Sequence, residues 1–145
     1  LNKLKRYDRM ADDIVNLILP ESQQGDGYTI AFEGTSYGSK MGTNNMIDMA
    51  AGAAVLKLKM LKIFKPEDIQ TIAPTTIKKF AGKGNMNKTQ LCQAFLNNVN
   101  GDPFLMKGEL FHFATANVES EKKIPKPLDD LIDAYFLSAL LASEA

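Results

Sequence analysis

Three aspartates crowd together near the C-terminal end, in Pro127-Leu128-Asp129-Asp130-Leu131-Ile132-Asp133-Ala134-Tyr135. On a helix, residues three apart share a side, so Asp130 and Asp133 are spaced to converge on one point and hold a cation through carboxylate oxygens. The competing reading is that acids favour helix starts through the macrodipole, which suffices for Asp129 and Asp130. It serves Asp133 less well, a full turn in and flanked by Ile132 and Ala134. A further acid, Glu33, closes Tyr28-Thr29-Ile30-Ala31-Phe32-Glu33-Gly34, a run of β-formers apolar on both faces. Such a strand suits a covered sheet, whose C-terminal strand edge is where open α/β folds place catalytic groups. A carboxylate that has simply reached solvent at a strand end explains Glu33 equally well. Thr75-Thr76-Ile77-Lys78-Lys79-Phe80-Ala81-Gly82-Lys83-Gly84-Asn85, followed by Lys88, supplies the opposite charge. Its glycines permit a close backbone approach and its lysines imply an anionic ligand; a plain lysine-rich turn is the alternative.

The elements that must position these groups follow from periodicity. Pro127 suits the first turn of a helix, and no breaker follows before Ala145. Leu128, Leu131, Ile132, Tyr135 and Ala139 form the expected apolar face of that helix. Leu4, Tyr7, Met10, Ala11, Ile14, Leu17 and Ile18 predict an opening amphipathic helix ended by Pro20, with a polar loop over 21–27. After Glu33 comes a polar loop over 34–43, with glycines at 34, 38 and 42 but not the spacing of a nucleotide-binding loop. A long alanine- and methionine-rich helix is expected over 44–64, ended by Pro66, then a strand over 69–73 stopped by Pro74. A helix over 87–98, a short edge strand over 110–115 and a charged linker over 118–126 complete the chain. His112 has no visible partner and receives no role.

Composition restricts the chemistry. With 145 residues, 45% hydrophobic and 23% charged, the chain suits one soluble domain with a real core. It holds no apolar run of membrane-spanning length, and no export signal is recognisable, so a cytoplasmic setting is expected. One cysteine, Cys92, and one histidine make a zinc site improbable, which leaves a hard cation on carboxylates as the metal option. The charges balance at 17 basic and 17 acidic residues but are unevenly spread. Lys57, Lys59, Lys62 and Lys65, then Lys78, Lys79, Lys83 and Lys88, form a middle third almost without acids. A basic middle with an acidic final helix suits a protein that handles a polyanion.

Taken in order, the strand-end Glu33, the long helix, the next strand, the lysine–glycine segment with Lys88, and Asp130-x-x-Asp133-Ala134 resemble the RuvC-type Holliday junction resolvases, most of all their phage branch. The resemblance runs from about Tyr7 to Leu141. It implies an α/β, ribonuclease H-like fold, a mixed sheet flanked by helices. It further implies a homodimeric nuclease dependent on Mg2+ or Mn2+ that resolves four-way DNA junctions by symmetric nicks, in the host cytoplasm if phage-encoded. Glu33, Asp130 and Asp133 match three of the family's four catalytic carboxylates, with Asp129 an adjacent acid in an outer position. Lys78 and Lys88 match basic positions of the family, and Lys79 and Lys83 join them as expected DNA contacts. No residue matches the family's first aspartate, whose strand, with the two after it, is expected upstream of Leu1. Two other readings stay open: a ribonuclease H-like nuclease acting on flaps or RNA–DNA hybrids, and a truncated, catalytically silent DNA-binding or structural protein.

Overall fold

A computed structural model describes residues 2–22, 27–34, 43–120 and 123–144. The architecture is mixed α/β and mostly helical, in the order α1 (Asn2–Ser22), β1 (Ile30–Glu33), α2 (Thr43–Met60), β2 (Ile69–Ile72), α3 (Pro74–Ala81), α4 (Lys88–Val99), α5 (Glu109–Glu119) and α6 (Leu128–Glu144). The chain divides into two compact units, 1–71 and 72–145. None of the described helices is long and apolar enough to cross a membrane.

In the first unit α1 packs along α2, burying Ala11 and Val15 of α1 and Met60 of α2. Lysines of α2 fasten the neighbouring elements. Lys59 Nζ donates to the Asp8 carbonyl at 3.0 Å and pairs with the carboxylates of Asp8 and Asp12. Lys57 Nζ donates to Thr71 Oγ1 at 2.7 Å and lies 5.1 Å from the centre of the Phe32 ring. β1 pairs with β2 in a two-stranded parallel sheet. Three expectations shift here. The first helix continues through Pro20 to Ser22 instead of ending at the proline. β1 is half-buried rather than covered on both faces. The long helix stops at Met60, and turns lead from it to Pro66. Most of the expected 21–27 and 34–43 loops lies outside the described residues.

The second unit is a helical cluster. Ile77 of α3, Leu91, Cys92, Phe95 and Val99 of α4, Ala114 of α5, and Leu128, Ile132 and Phe136 of α6 share one core with Ile124. On α6 the buried set Leu128, Ile132, Phe136 and Leu140 is a strict every-fourth-residue ridge. Burying each of these side chains contributes about 1.5–3 kcal/mol. Tyr135 wedges beside this ridge, edge-on to Phe95 at 4.9 Å and to Phe136 at 5.2 Å, and donates from its hydroxyl to Asn98 Oδ1 at 2.6 Å.

Two local assignments are corrected in this unit. Pro74 does not merely stop a strand: it occupies the first turn of α3, so Lys78 and Lys79 stand on a helix instead of a loop. The expected edge strand over 110–115 is part of α5, which also takes up the first residues of the expected 118–126 linker. The apolar run Leu110-Phe111-His112-Phe113-Ala114 is compatible with either state by propensity, and packing of Ala114 into the helical core decides it.

Candidate nucleic-acid and metal site on the last helix

Three helices bring the charged groups together. α4 is held at its start by a reciprocal cap: Asn87 accepts from the Gln90 N–H at 2.9 Å, and Gln90 Oε1 accepts from the Asn87 N–H at 2.9 Å. That fixes Lys88 as the first helical residue. Lys88 reaches across to Asp129 on α6, and their ammonium and carboxylate form an ion pair. Lys126 stands 3.4 Å from the same carboxylate and also pairs with Asp130, four residues on. The Asp130 N–H donates to Asp129 Oδ1 at 3.0 Å.

Asp129 is the acid that the fold buries, with its side chain 5% exposed. It lies next to Leu128 on the buried ridge and one turn before Asp133. Burial pushes its carboxyl up, but the Lys88 hydrogen bond and charge, then Lys126 and the Asp130 N–H, outweigh that and hold it below the ordinary value. Asp133 is half-buried, and its side chain makes no hydrogen bond or ion pair among the described residues. Burial raises its carboxyl, the Asp129 charge raises it further, Lys78 opposes the rise, Asp130 adds to it and Lys88 opposes it again. Lys78 and Lys88 therefore act on Asp133 as charges rather than as bonded partners.

The weight of the three acids differs from the spacing argument. Asp130 and Asp133 were the expected pair and Asp129 the outer acid; instead Asp129 is the inner acid, while Asp130 is exposed and turned to Lys126. Leu131, expected on the apolar face, is exposed, and Phe136 and Leu140 take its place in the core. The sequence signal for this was the ridge itself. Leu128, Ile132, Phe136 and Leu140 recur every four residues, and Asp129 and Asp133 run beside them at the same interval. Lys126 was not singled out, although its four-residue spacing from Asp130 is that of a helical ion pair.

The remaining expected residues stand as follows. Lys79 and Lys83 are exposed at the end of α3 and in the turn beyond it. The Lys79 stem lies over Gly84, where a Cβ would come within 3.1 Å of the Lys79 Cγ. Gly82 ends α3, its N–H donating to the Lys78 and Lys79 carbonyls at 3.0 and 3.2 Å. Glu33 is the exposed last residue of β1, in the first unit. Among the described residues, no three acidic, histidine or cysteine side chains gather as a group for a metal ion.

The chain matches no family model, no curated protein and no solved structure.

Proposed function

We propose that this chain is the nuclease domain of a divalent-metal-dependent, ribonuclease H-like endonuclease that cuts four-way DNA junctions as a homodimer. The observation that carries this reading is Asp133. A half-buried carboxylate without an ion pair among the described residues, next to Asp129 and within the field of Lys78 and Lys88, is poised for a cation and for a phosphate beside it. The donor chemistry fits Mg2+ or Mn2+, because Asp129, Asp130 and Asp133 offer hard carboxylate oxygens. In the proposal Asp133 and Asp130 hold the metal, and Asp129 sits behind them. When bound, such ions supply an activated water and charge neutralisation for phosphodiester hydrolysis.

The chain's own residues do the rest. Lys79 and Lys83, exposed and without carboxylate partners among the described residues, take DNA phosphates. Lys78 and Lys88 hold charge balance around Asp133, and Lys88 is placed to exchange Asp129 for a phosphate oxygen. Paired nicks need two symmetry-related sites, and α2 offers a face for pairing. Ile47, Ala50, Ala54 and Leu58, with Leu61 in the turn just beyond, form an exposed stripe along it, with Ile47 61% and Leu58 63% exposed. The stripe is self-complementary about Ala54: in an antiparallel pair Ala50 meets Leu58 and Ile47 meets Leu61 of the second copy.

One observation favours the non-catalytic reading. Asp129 is already balanced by two lysines, so part of the acid cluster is satisfied without any cation. Thermal unfolding of the full-length protein with and without Mn2+ separates the two. A midpoint that rises with Mn2+ in the wild type and not in Asp133→Asn supports the nuclease; no shift in either favours the DNA-binding protein. Cleavage assays on junction, flap and RNA–DNA hybrid substrates then assign the substrate class.

A further inference from the structure

The glycine at position 84, in the turn between α3 and α4, is not required by its backbone. Among the described glycines Gly101 alone takes the left-handed conformation, so φ does not demand a glycine at 84. What fills the place of the missing side chain is Lys79. A Cβ at 84 would meet the lysine stem twice, 3.1 Å from Cγ and 3.3 Å from Cε, whereas carbon atoms pack at about 3.5–4.0 Å. The Thr75 carbonyl, at 3.7 Å, is an ordinary contact. The lysine thus lies stretched across a bare α-carbon. The floor beneath it is fixed. The Lys83 N–H donates to Met86 Sδ at 3.2 Å, and the Met86 N–H donates to the Lys83 carbonyl at 3.1 Å, which closes the turn on both sides of Gly84. Met86 packs against the core of the second unit, and the reciprocal cap of α4 begins at the next residue, Asn87.

A lysine stem on an exposed helix end ordinarily samples many rotamers, and ordering it on binding costs affinity. Laying the stem along a rigid turn removes part of that freedom in advance and leaves the ammonium in water. No carboxylate accounts for this order. Lys79 makes no ion pair among the described residues, and the sequence holds no acid between Asp68 and Asp102. We infer that Gly84 is a positioning residue that pre-orders Lys79 for a phosphate of the bound DNA. This rests on the reading that Lys79 contacts a phosphate, and it changes the part expected of the glycine. The close approach that Gly84 permits is made by the chain's own lysine and not by the ligand.

Substitution at 84 separates positioning from folding. A methyl group there pushes aside a flexible, exposed side chain, which costs the fold little, and it removes the freedom of glycine from the unfolded chain. Gly84→Ala is therefore expected to keep or raise the thermal midpoint. It should nevertheless bind a four-way junction in Ca2+ about 2- to 10-fold more weakly, the range set by ordering one long side chain. In the Lys79→Ala protein, itself a weaker binder, adding Gly84→Ala should change nothing further. Anisotropy of labelled junction with the full-length wild type, the two single variants and the double variant completes the cycle. Equal binding by the wild type and Gly84→Ala, or the same loss from Gly84→Ala in both backgrounds, overturns the positioning role and leaves the nuclease reading intact. If Lys79→Ala binds as tightly as the wild type, the phosphate contact of the lysine is lost and the role of Gly84 with it. Failure of the wild type to bind any junction removes both the inference and the reading beneath it.

Discussion

Lys88, the first residue of α4, and Asp129, the second residue of α6, form an ion pair across 41 residues of sequence, and the acid is almost fully buried while the lysine is half exposed. A buried carboxylate that loses its cation keeps the desolvation penalty, so the loss falls on the fold. Lys88→Met is expected to destabilise the protein by about 1–2 kcal/mol, the low end for such pairs because Lys126 and the Asp130 N–H remain. In urea unfolding, the double variant with Asp129→Asn should lose less than the sum of the single losses. Strict additivity would mean that the pair contributes no coupling.

The two acids one turn apart on α6 are expected to act on stability with opposite signs. Asp129 is held below the ordinary value of 3.8, so its contribution is complete above that value and is lost as pH falls through its folded value. Asp133 is raised above 3.8, so its charged form opposes folding above its folded value, and the opposition is gone below the ordinary one. At pH 7 without metal, Asp133→Asn should therefore stabilise and Asp129→Asn destabilise. On acidification the Asp133 difference should fade first, by pH 3.8, and the Asp129 difference below it. Stability curves with pH in a chelating buffer check this, and two differences of the same sign would contradict the arrangement.

Much of this site could be read from residue types, and the rest depended on packing. Pro127 suits the first turn of a helix through its missing N–H and opens α6, the helix expected over 87–98 begins within one residue of α4, and Glu33 closes β1 as its run of β-formers implies. The inner position of Asp129 was not legible in the same way. Leu131 and Phe136 are both apolar, and only the helices packed around α6 choose Phe136 for the core and so turn Asp129 inward. The strand expected over 110–115 failed for a related reason: six consecutive residues of mixed propensity carry no period long enough to outvote a helical neighbourhood. Pro74 was read as a stop although its fixed φ also opens a helix, which moved Lys78 and Lys79 from a loop onto α3.

If Lys79 and Lys83 contact phosphates, replacing either with alanine should lower the slope of log K against log salt by about 0.9 for duplex arms. Lys88→Ala should change it less, since Asp129 already occupies that ammonium. Anisotropy titrations of a labelled junction between 50 and 200 mM salt, roughly the range over which such slopes are resolved, supply the comparison. Unchanged slopes for Lys79→Ala and Lys83→Ala would return these residues to a merely solvated surface.

In the proposed self-pairing of α2, Ala54 would lie at the two-fold axis. Ala54→Cys is then expected to cross-link to its own copy under mild oxidation, while Ile47→Cys should not pair with itself. The native thiol, Cys92, is buried and burial raises its pKa, so it stays silent in this assay. Leu58→Asp should abolish cross-linking of the Ala54→Cys protein. A monomer at micromolar concentration in sedimentation of the full-length protein would contradict the pairing.

The central claim is that Asp133 belongs to a metal-dependent centre that hydrolyses DNA. Clustered carboxylates repel a phosphate when no cation is bound, so removing one charge at nearly constant volume should leave DNA binding equal or tighter. Hydrolysis needs the full set of hard donors, and an amide is a poorer ligand than a carboxylate. The direct measurement is a paired assay on full-length wild type and Asp133→Asn: four-way junction binding in Ca2+ and cleavage in Mg2+. The account predicts symmetric nicks by the wild type, and no cleavage with undiminished binding by Asp133→Asn. Cleavage retained in Asp133→Asn, or a wild type that binds the junction and never cuts it, would contradict the claim.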